Sequence, residues 1–244
     1  MRAIIVSVDY TDELRLTLPY NRSHFESVHV VTSSKDADNV RPVAAASNAE
    51  VIVTDLFYEG GAKFNKWRAL EYGLDVMGRQ GWLCVMDADV FWPKRATLNP
   101  VLGNLYTPMR RMYPEIPPSV PEEFTWKMFP VHRNVGEFAG YSQIFHADDP
   151  VLGPAPWHQT DWEHAGGADS IFQRKWPSHL KVRPSWDCLH IGSAGQNWYG
   201  RSTPHADGTL PEGAAERKRL VDSIWVNRRK KPDPEFRGER TVGH

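Results

Sequence analysis

Cysteine is scarce in this 244-residue sequence, and long apolar runs are absent. The two cysteines, Cys84 and Cys188, are too few for a disulfide framework and fit a reducing interior in which both thiols are structural. The opening apolar stretch, residues 4–8, is too short for a signal peptide or a membrane span, and no other segment approaches about 18 uninterrupted apolar residues. These absences predict a soluble, cytoplasmic protein without a membrane span.

A strong net charge is lacking as well. Lys and Arg together number 29 and Asp and Glu together 30, so the formal net charge is −1 and no overall field attracts nucleic acid or membranes. Any charged partner must therefore be met by local groups. The apolar content of 41% is ample for a buried core at this length, and we expect a single globular domain over residues 1–244.

The first ninety residues alternate strand and helix patterns. Short apolar runs at residues 3–8, 28–32, 51–53 and 82–86 each end on polar residues. Apolar side chains spaced three and four apart over residues 64–77 predict a helix that ends at Gly78. The alternation predicts an α/β fold with a mostly parallel sheet covered on both faces, whose ligands gather beyond the carboxyl ends of the strands. The polar residues expected at that edge are Asp9, Ser34, Asp55 and Asp87.

The second half of the chain is patterned less regularly. Six prolines between residues 108 and 130 predict an irregular loop or lid. Strands are expected at residues 140–146 and 189–191, and helices at residues 169–175 and after Pro211. The last helix is expected to end at Pro232 and Pro234. Its basic residues, which form either a solvated face or a track for a phosphate backbone, are Arg217, Lys218, Arg219, Arg228, Arg229, Lys230 and Lys231.

Phosphate-binding loops of the Walker and G-x-G-x-x-G types are absent, and so is the G-x-S-x-G motif of serine hydrolases. The strand at residues 82–86 leads instead into Asp87-Ala88-Asp89, which places two carboxylates at the carboxyl end of a buried strand. Acids one residue apart are common on solvated turns, but beside a buried strand such a pair costs stability unless a cation shares it. Mn²⁺ or Mg²⁺ prefers oxygen ligands, and a diphosphate supplies further oxygens.

Three segments together resemble the donor-binding half of GT-A glycosyltransferases: Phe64-Asn65-Lys66, Gly81-Trp82, and the strand into Asp87-Ala88-Asp89. The resemblance covers roughly residues 1–95 and implies a GT-A, Rossmann-like fold in which Asp87 and Asp89 bind Mn²⁺ or Mg²⁺. Asp87 is also expected to contact the donor. Lys66 and Arg68 either meet phosphate or sugar hydroxyls or are ordinary surface charges. The residues that the resemblance implies for the nucleotide are Ser7, Val8, Asp9, Tyr10 and Asp36.

A second part of the resemblance lies in Leu189-His190-Ile191-Gly192, with Trp198 eight residues after the histidine. It is similar to a C-terminal GT-A motif and implies His190 as a third metal ligand and Trp198 as a contact to the donor diphosphate. The motif usually has a lysine where Gln196 stands, and its glycine falls one position later. The alternative for His190 is a structural histidine at the end of a strand.

The segment Gly166-Gly167-Ala168-Asp169 is similar to the acidic acceptor-side motif of the same enzymes. The resemblance implies Asp169 as the base that takes the acceptor proton in an inverting enzyme. The alternative is that Asp169 caps a helix beginning at Ser170. Asp161 and Glu163 are close enough in sequence to act in its place.

The resemblance implies transfer of a sugar from a nucleotide-diphosphate donor, with UDP expected, to the hydroxyl of a glycan, a protein, a small molecule or hydroxymethylated DNA. Residues 1–95 would bind the donor, residues 96–205 the acceptor, and residues 206–244 would form a basic helix and tail. Two alternatives stay open. One is nucleotidyl transfer onto a sugar phosphate, which the acidic run Asp9-Tyr10-Thr11-Asp12-Glu13 disfavours. The other is a non-catalytic carbohydrate- or nucleic-acid-binding protein on a transferase-like fold.

Overall fold

The structure is a computed structural model that describes residues 1–132, 138–192 and 195–230. It contains ten strands and five α-helices within these ranges. In chain order they are β1 Arg2–Val6, α1 Thr11–Asn21, β2 Ser27–Thr32, α2 Ala37–Ala46, β3 Glu50–Val53, α3 Lys66–Met77, β4 Trp82–Asp87, β5 Val90–Phe91, β6 Leu105–Tyr106, β7 Met109–Tyr113, β8 Ser142–His146, α4 Ala168–Phe172, β9 Lys181–Val182, β10 Asp187–Ile191 and α5 Ala214–Lys230. Single 3₁₀ turns lie at Arg22–His24, Glu59–Gly61, Glu123–Met128, Gln173–Lys175 and Ser178–Leu180.

A seven-stranded sheet in the order β3-β2-β1-β4-β8-β6-β9 forms the centre of the molecule. Its first four strands are parallel, and Ile4 of β1 pairs with His29 of β2 and with Val85 of β4. Strand β8 is antiparallel to both of its neighbours, whereas β6 and β9 are parallel to each other. The predicted α/β fold with a mostly parallel sheet is confirmed.

Helices cover both faces of this sheet, because alternate residues of the central strands point to opposite sides. Ile4 of β1 packs in one buried cluster with Trp67 and Leu70 of α3. Ile5, the next residue of the strand, packs in a second cluster with Leu14 of α1 and residues of α2. The helices therefore bury both faces of β1 and leave its carboxyl end as the open edge.

A second, three-stranded sheet in the order β5-β10-β7 lies beside the carboxyl end of β4. Strand β10 pairs antiparallel to β5 and parallel to β7. The expectation of an irregular segment throughout residues 108–130 is wrong in this part, because β7 occupies Met109–Tyr113. The prolines flank that strand at Pro108 and Pro114 and none lies inside it, so every residue of β7 keeps its backbone N–H.

Several boundaries differ from the predicted ones by a residue or more. Helix α3 begins at Lys66 rather than at residue 64, because the side chain of Asn65 caps it by accepting a hydrogen bond from the backbone N–H of Arg68. The predicted helix at residues 169–175 is a short α4 followed by a 3₁₀ turn. Helix α5 is found where predicted, while Lys231, Pro232, Pro234 and the expected tail lie outside the described residues. Among the helices that the structure describes, none has the length and apolar character needed to cross a membrane.

Candidate active site

Two carboxylates and an imidazole meet where the two sheets adjoin. Strand β4 ends at Asp87 and β5 begins at Val90, so Asp89 lies in the tight turn between them. Strand β10 pairs with β5 so that His190 lies opposite Val90, and the backbone N–H of Ile191 donates to the carbonyl of Asp89 at 2.9 Å. The ligand atoms of Asp87, Asp89 and His190 lie within 4.8 Å of one another. We refer to these three residues as the metal-site cluster.

Helix α1 fixes the turn that carries these acids. The hydroxyl of Thr17 donates to the carbonyl of Ala88 at 2.6 Å, and the side-chain amide of Asn21 donates to the carbonyl of Val90 at 2.7 Å. On the other side of β4, the backbone N–H of Asp87 donates to the carbonyl of Tyr141 at 3.0 Å. The turn is thus anchored from both sides, which places its carboxylates in a fixed geometry before any ligand binds.

The metal-site cluster has buried polar atoms without protein partners. Within the described residues, Asp89 Oδ1 and His190 Nδ1 are buried and make no hydrogen bond, and His190 Nε2 lies 3.6 Å from Asp89 Oδ1. Burial raises the pKa of Asp89, the charge of His190 opposes that rise, and the charge of Asp87 adds to it. Unsatisfied buried acceptors are costly in a folded protein, and two carboxylates with an imidazole form a donor set that suits Mn²⁺ or Mg²⁺. The residues present therefore fit the metal that the sequence resemblance implies.

Lys66 gives one of the two acids a cationic partner. It is the first residue of α3, and its ammonium forms a salt bridge with Asp87 Oδ1. The same ammonium lies 4.9 Å from the ring centre of Trp67. Lys66 side-chain exposure is only 11%, so its charge is directed into the site and not towards bulk solvent. Arg68, two residues further along the helix, instead donates to the carbonyl of Thr160 at 3.3 Å and pairs with Glu59.

The metal-site cluster opens into a cavity of about 400 Å³. Of the residues predicted for the site, the cavity is lined by Val8, Tyr10, Lys66, Asp87, Asp89, Asp169, His190 and Trp198. One wall is aromatic, since the rings of Trp198 and Trp225 lie 5.1 Å apart. Gly166 lets Trp198 approach closely, because a Cβ at that position would lie 2.6 Å from the indole ring. The indole N–H of Trp225 donates to the carbonyl of Gly195 at 3.2 Å and joins α5 to this wall.

Asp169 lines the same cavity as the β4 turn and is not a helix cap. Helix α4 begins at Ala168 and its N-cap is Gly167 with a φ of 106°, so the interpretation of Asp169 as the cap of a helix starting at Ser170 is wrong. Its carboxylate accepts a hydrogen bond from the backbone N–H of Gly140 at 2.8 Å. A Cβ at Gly140 would lie 3.0 Å from the Cβ of Asp169, so glycine is what lets the two segments touch.

Four of the predicted residues do not line this cavity: Ser7, Asp9, Asp36 and Arg68. Ser7 is fully buried in the sheet region, and Asp36 is 5% exposed and caps α2. The carboxylate of Asp36 accepts from the backbone N–H of Asp9 at 2.9 Å, and burial raises its pKa. The side chain of Asp9 pairs with Arg217 of α5 at 3.4 Å. The end of β1 is thus in contact with the C-terminal helix.

The sequence did not predict a buried ionic group next to the site, formed by Asp12, Glu13 and Arg201, which we call the Arg201 cluster. Arg201 is fully buried and donates to Asp12 and to Glu13 Oε2, the latter at 2.8 Å. Burial on its own would raise the pKa of Asp12, but hydrogen bonds and the guanidinium charge hold it well below its usual range. Burial raises the pKa of Glu13 to about 10. An arginine in a loop carries no spacing signal, so this cluster was not visible in the sequence.

Arg110 of β7 and Trp225 of α5 also line the cavity and were not predicted as site residues. Arg110 was missed because its segment was interpreted as an irregular loop, whereas the alternation of a β-strand directs it towards the cavity. Trp225 was assigned only to the apolar face of its helix. Neither residue stands in a motif, and the pairing of β7 with β10 is the feature that brings Arg110 to the site.

The sheet order and the metal-site cluster at the end of β4 agree with the arrangement that the sequence resemblance implies. The fold is thus the α/β arrangement with a mostly parallel central sheet that this resemblance predicts. No protein-family model matches the chain, and no curated protein does. Solved structures similar to it include mannosyl-3-phosphoglycerate synthase from Rubrobacter xylanophilus, with 14% identity and a TM-score of 0.45 over 96% of this chain and 77% of that one.

Two further similar structures are a synthase and a CTP transferase. Glucosyl-3-phosphoglycerate synthase from Mycobacterium tuberculosis, in complex with UDP, has 12% identity and a TM-score of 0.43 over 96% of this chain and 81% of that one. The inositol-1-phosphate CTP transferase from T. maritima has 9% identity and a TM-score of 0.43 over 91% and 96%. At these identities and TM-scores the similar structures do not indicate the chemistry of this chain. Its chemistry is therefore inferred from the residues of its own site.

Proposed function

We propose that the chain is a metal-dependent glycosyltransferase that moves a sugar from a nucleotide-diphosphate donor, expected to be a UDP-sugar, to a hydroxyl acceptor. The observation that carries the proposal is the metal-site cluster, in which Asp89 Oδ1 accepts no hydrogen bond from the described residues. Lys66 is paired with Asp87 of this cluster, and Asp169 lines the same cavity. Each group has a role in such a transfer, and the cavity is large enough for a small ligand.

Asp87, Asp89 and His190 would hold Mn²⁺ or Mg²⁺, which when bound would neutralise the charge of the diphosphate leaving group. Lys66 would add a second positive charge to the same group. Its ammonium already lies against Asp87, so a phosphate oxygen that arrives beside that carboxylate comes within hydrogen-bonding reach of Lys66. The pair would therefore act as one unit in binding the donor.

Asp169 would act on the acceptor side. Its carboxylate is oriented by the backbone N–H of Gly140 and lines the same cavity as the metal-site cluster. In an inverting enzyme it would accept the proton of the acceptor hydroxyl as that oxygen attacks the anomeric carbon. The aromatic wall of Trp198 and Trp225 offers flat faces against which a sugar or base can stack.

The nucleoside of the donor would lie near the end of β1, where Val8 and Tyr10 line the cavity. Contacts from Ser7, Asp9 and Asp36 stay a prediction, because these side chains lie outside the cavity and Asp9 is paired with Arg217. A donor that reached Asp9 would have to replace that ion pair.

Nucleotidyl transfer is supported less well by the first strand and its loop. Helix α1 begins at Thr11 with Asp12 and Glu13 in its first turn, and these acids are held by Arg201. Arg201 is buried and already engaged by these acids, so it is not available to bind a phosphate at this helix N-terminus. A non-catalytic binding protein is disfavoured because it has no need for a carboxylate aimed at the cavity on each side. The acceptor class stays open, and in α5 two of the basic residues are paired, Arg217 with Asp9 and Lys218 with Asp222.

The test is isothermal titration of the wild type and of Asp89→Ala with UDP, GDP and their sugars, with and without Mn²⁺. We expect wild-type binding to one nucleotide to need the metal, and Asp89→Ala to weaken it by at least about 100-fold, as expected on loss of a direct ligand. Asp148→Ala, which removes a carboxylate that is 79% exposed, is the control and should bind like the wild type. Metal-independent binding, or none across the panel, would sink the proposal.

A further inference from the structure

Arg110 lines the cavity beside Tyr141, whose ring also contacts His190 of the metal-site cluster. In the pairing of β7 with β10, Arg110 lies next to Cys188 and Met112 next to His190. The guanidinium centre is 4.5 Å from the ring centre of Tyr141, and that ring meets the His190 ring edge-on at 6.2 Å. The step from Cys188 to His190 is two residues along a strand, or roughly 6–7 Å. The backbone of Arg110 is therefore offset from that of His190 by roughly 6–7 Å along the strand direction.

The guanidinium of Arg110 has no acidic partner. Within the described part of the chain it forms no ion pair and donates no side-chain hydrogen bond, although it lines the cavity and is only partly exposed. Its neighbour Arg111 points the other way and is fully engaged, with Asp187 at 2.7 Å and the carbonyl of Phe129 at 3.0 Å. Arg110 and Arg111 thus differ in their partners. The guanidinium N–H groups of Arg110, which faces the cavity, donate to no described residue, whereas those of Arg111 are engaged.

The stacking on Tyr141 holds this guanidinium in a defined orientation. Tyr141 is itself fixed, since its hydroxyl donates to the carbonyl of Pro108 and its ring is 4% exposed. A stacked, planar fork of N–H donors binds carboxylates and phosphates through two parallel hydrogen bonds. His132, whose backbone N–H donates to the carbonyl of Arg110 at 3.0 Å, lines the cavity at the same place.

We propose that Arg110 binds an anionic group, a phosphate or a carboxylate, on the acceptor of the transferred sugar; this rests on the proposed glycosyltransferase function. In the proposed function, the metal bound by the metal-site cluster and the ammonium of Lys66 bind the donor diphosphate, so Arg110 is not needed for that group. Arg110 therefore selects hydroxyl compounds that carry a negative charge a short distance from the hydroxyl that reacts. Neutral glycans lack such a group.

The test is binding of two probes, inorganic phosphate and acetate, to protein saturated with UDP and Mg²⁺, so that the donor position is filled. Affinity for phosphate is measured by ³¹P NMR, and acetate is measured by competition with it. We expect Arg110→Gln to weaken phosphate binding at least 10-fold and Arg110→Lys to weaken it less, because the charge is kept but the fork is lost. Lys127→Gln, which removes an exposed charge from the same segment, should match the wild type. Thermal melting checks that each variant is folded.

The outcomes separate this inference from the proposed function. Wild-type protein that binds neither UDP nor GDP with metal would overturn the proposed function. Normal UDP binding with phosphate affinity that Arg110→Gln leaves unchanged would overturn the inference alone. A loss of UDP affinity in Arg110→Gln would also overturn it, because Arg110 would then belong to the donor diphosphate. If acetate competes with phosphate more strongly than an equal concentration of chloride does, the Arg110 position also binds carboxylates, as the proposal states.

Discussion

Two groups of buried charges lie side by side at the end of the central sheet and differ in how their polar atoms are satisfied. In the Arg201 cluster the guanidinium meets Asp12 and Glu13 and also donates to the backbone carbonyls of Asp9, Thr203 and Pro204. In the metal-site cluster, Asp89 Oδ1 and His190 Nδ1 have no hydrogen-bond partner among the described residues. Both groups combine acids with a nitrogen base, so composition does not distinguish them.

The difference indicates which group is built for a ligand. The Arg201 cluster is balanced within the protein, because the raised pKa of Glu13 leaves one carboxylate charge, that of Asp12, against one guanidinium. The metal-site cluster holds two acids against His190 and Lys66 and leaves an acceptor oxygen unused. A buried ionic group whose polar atoms all have partners stabilises the fold. A buried group with an unpaired acceptor lowers stability until a bound cation pairs with that acceptor.

Removal of the cation from the complete group is expected to have the largest effect on folding. Arg201→Met should lower the free energy of unfolding by about 3–5 kcal/mol, because it leaves the partly buried charge of Asp12 without its counter-charge and buried Glu13 without a hydrogen-bond donor. Urea denaturation followed by circular dichroism measures the change. Arg219→Met removes an exposed arginine of α5 and should change stability by less than about 0.5 kcal/mol. A loss below about 1 kcal/mol in Arg201→Met would show that the cluster does not stabilise the fold.

Removal of a charge from the incomplete group should act in the opposite direction. Without metal, Asp89→Asn is expected to raise the free energy of unfolding by about 1 kcal/mol, because it removes the charge of a partly buried carboxylate whose Oδ1 accepts no hydrogen bond from the described residues. Asp12→Asn is the matched variant in the Arg201 cluster and should lower it. Denaturation in the presence of EDTA measures both. If Asp89→Asn destabilises the metal-free protein as Asp12→Asn does, the two clusters are not different in kind.

A third buried group lies between these extremes. Glu71 accepts from Arg79 at 2.8 Å, from His158 Nδ1 at 2.6 Å and from the backbone N–H groups of Trp157 and His158. His158 is stacked between Trp67 and Phe172, and its Nε2 is buried without a partner. The carboxylate of Glu71 therefore has hydrogen-bond partners for both of its oxygens, whereas His158 Nε2 has none among the described residues. Burial lowers the pKa of His158; burial would raise the pKa of Glu71, but its hydrogen bonds and neighbouring charges lower it.

These two pKa shifts predict the smallest effect, a loss of stability on acidification. His158 stays neutral in the fold, whereas in the unfolded chain it takes up a proton below its usual pKa of 6.5, so unfolding binds a proton and stability falls as pH drops below that value. Glu71 adds a further loss below 4.5, where only the unfolded chain protonates. We expect His158 to contribute a loss of about 1 kcal/mol between pH 7 and pH 5, against the opposite contribution of Glu13, whose raised pKa favours the folded state on acidification. Relative to the wild type, His158→Gln should therefore be more stable at pH 5 than at pH 7 by that amount. The exposed His179→Gln should retain the wild-type slope; an unchanged slope in His158→Gln would contradict the prediction.

The central sheet and the carboxylate turn could be predicted from the sequence because their signals are local. Each parallel strand is a short apolar run, and Asp87 and Asp89 directly follow the run at residues 82–86. Helix α3 was visible in the spacing of its apolar residues. Helices α1 and α2 were not delimited, since each contains a proline, Pro19 and Pro42, that weakens the helical pattern.

The second half of the chain could be predicted only in part, because its residues are joined by pairings that span long stretches of sequence. Strand β7 is five residues long and lies among prolines, and it is recognisable only once β10 is beside it. Arg201 reaches Asp12 across 189 positions, and no spacing within the sequence encodes that contact. The roles of the individual site residues stay predictions that the proposed experiments test.

The distance along the chain between the metal-site carboxylates and His190 has a consequence for synthesis of the protein. Asp89 and His190 are 101 positions apart, so at common translation rates the acids leave the ribosome roughly 5–20 seconds before the imidazole. Arg201 and Trp225 follow later still. During that interval only the two carboxylates of the metal-site cluster are present, and the full cluster exists only after His190 has been made. Binding of a cation by all three residues would therefore require β10 to be synthesised and paired with β5.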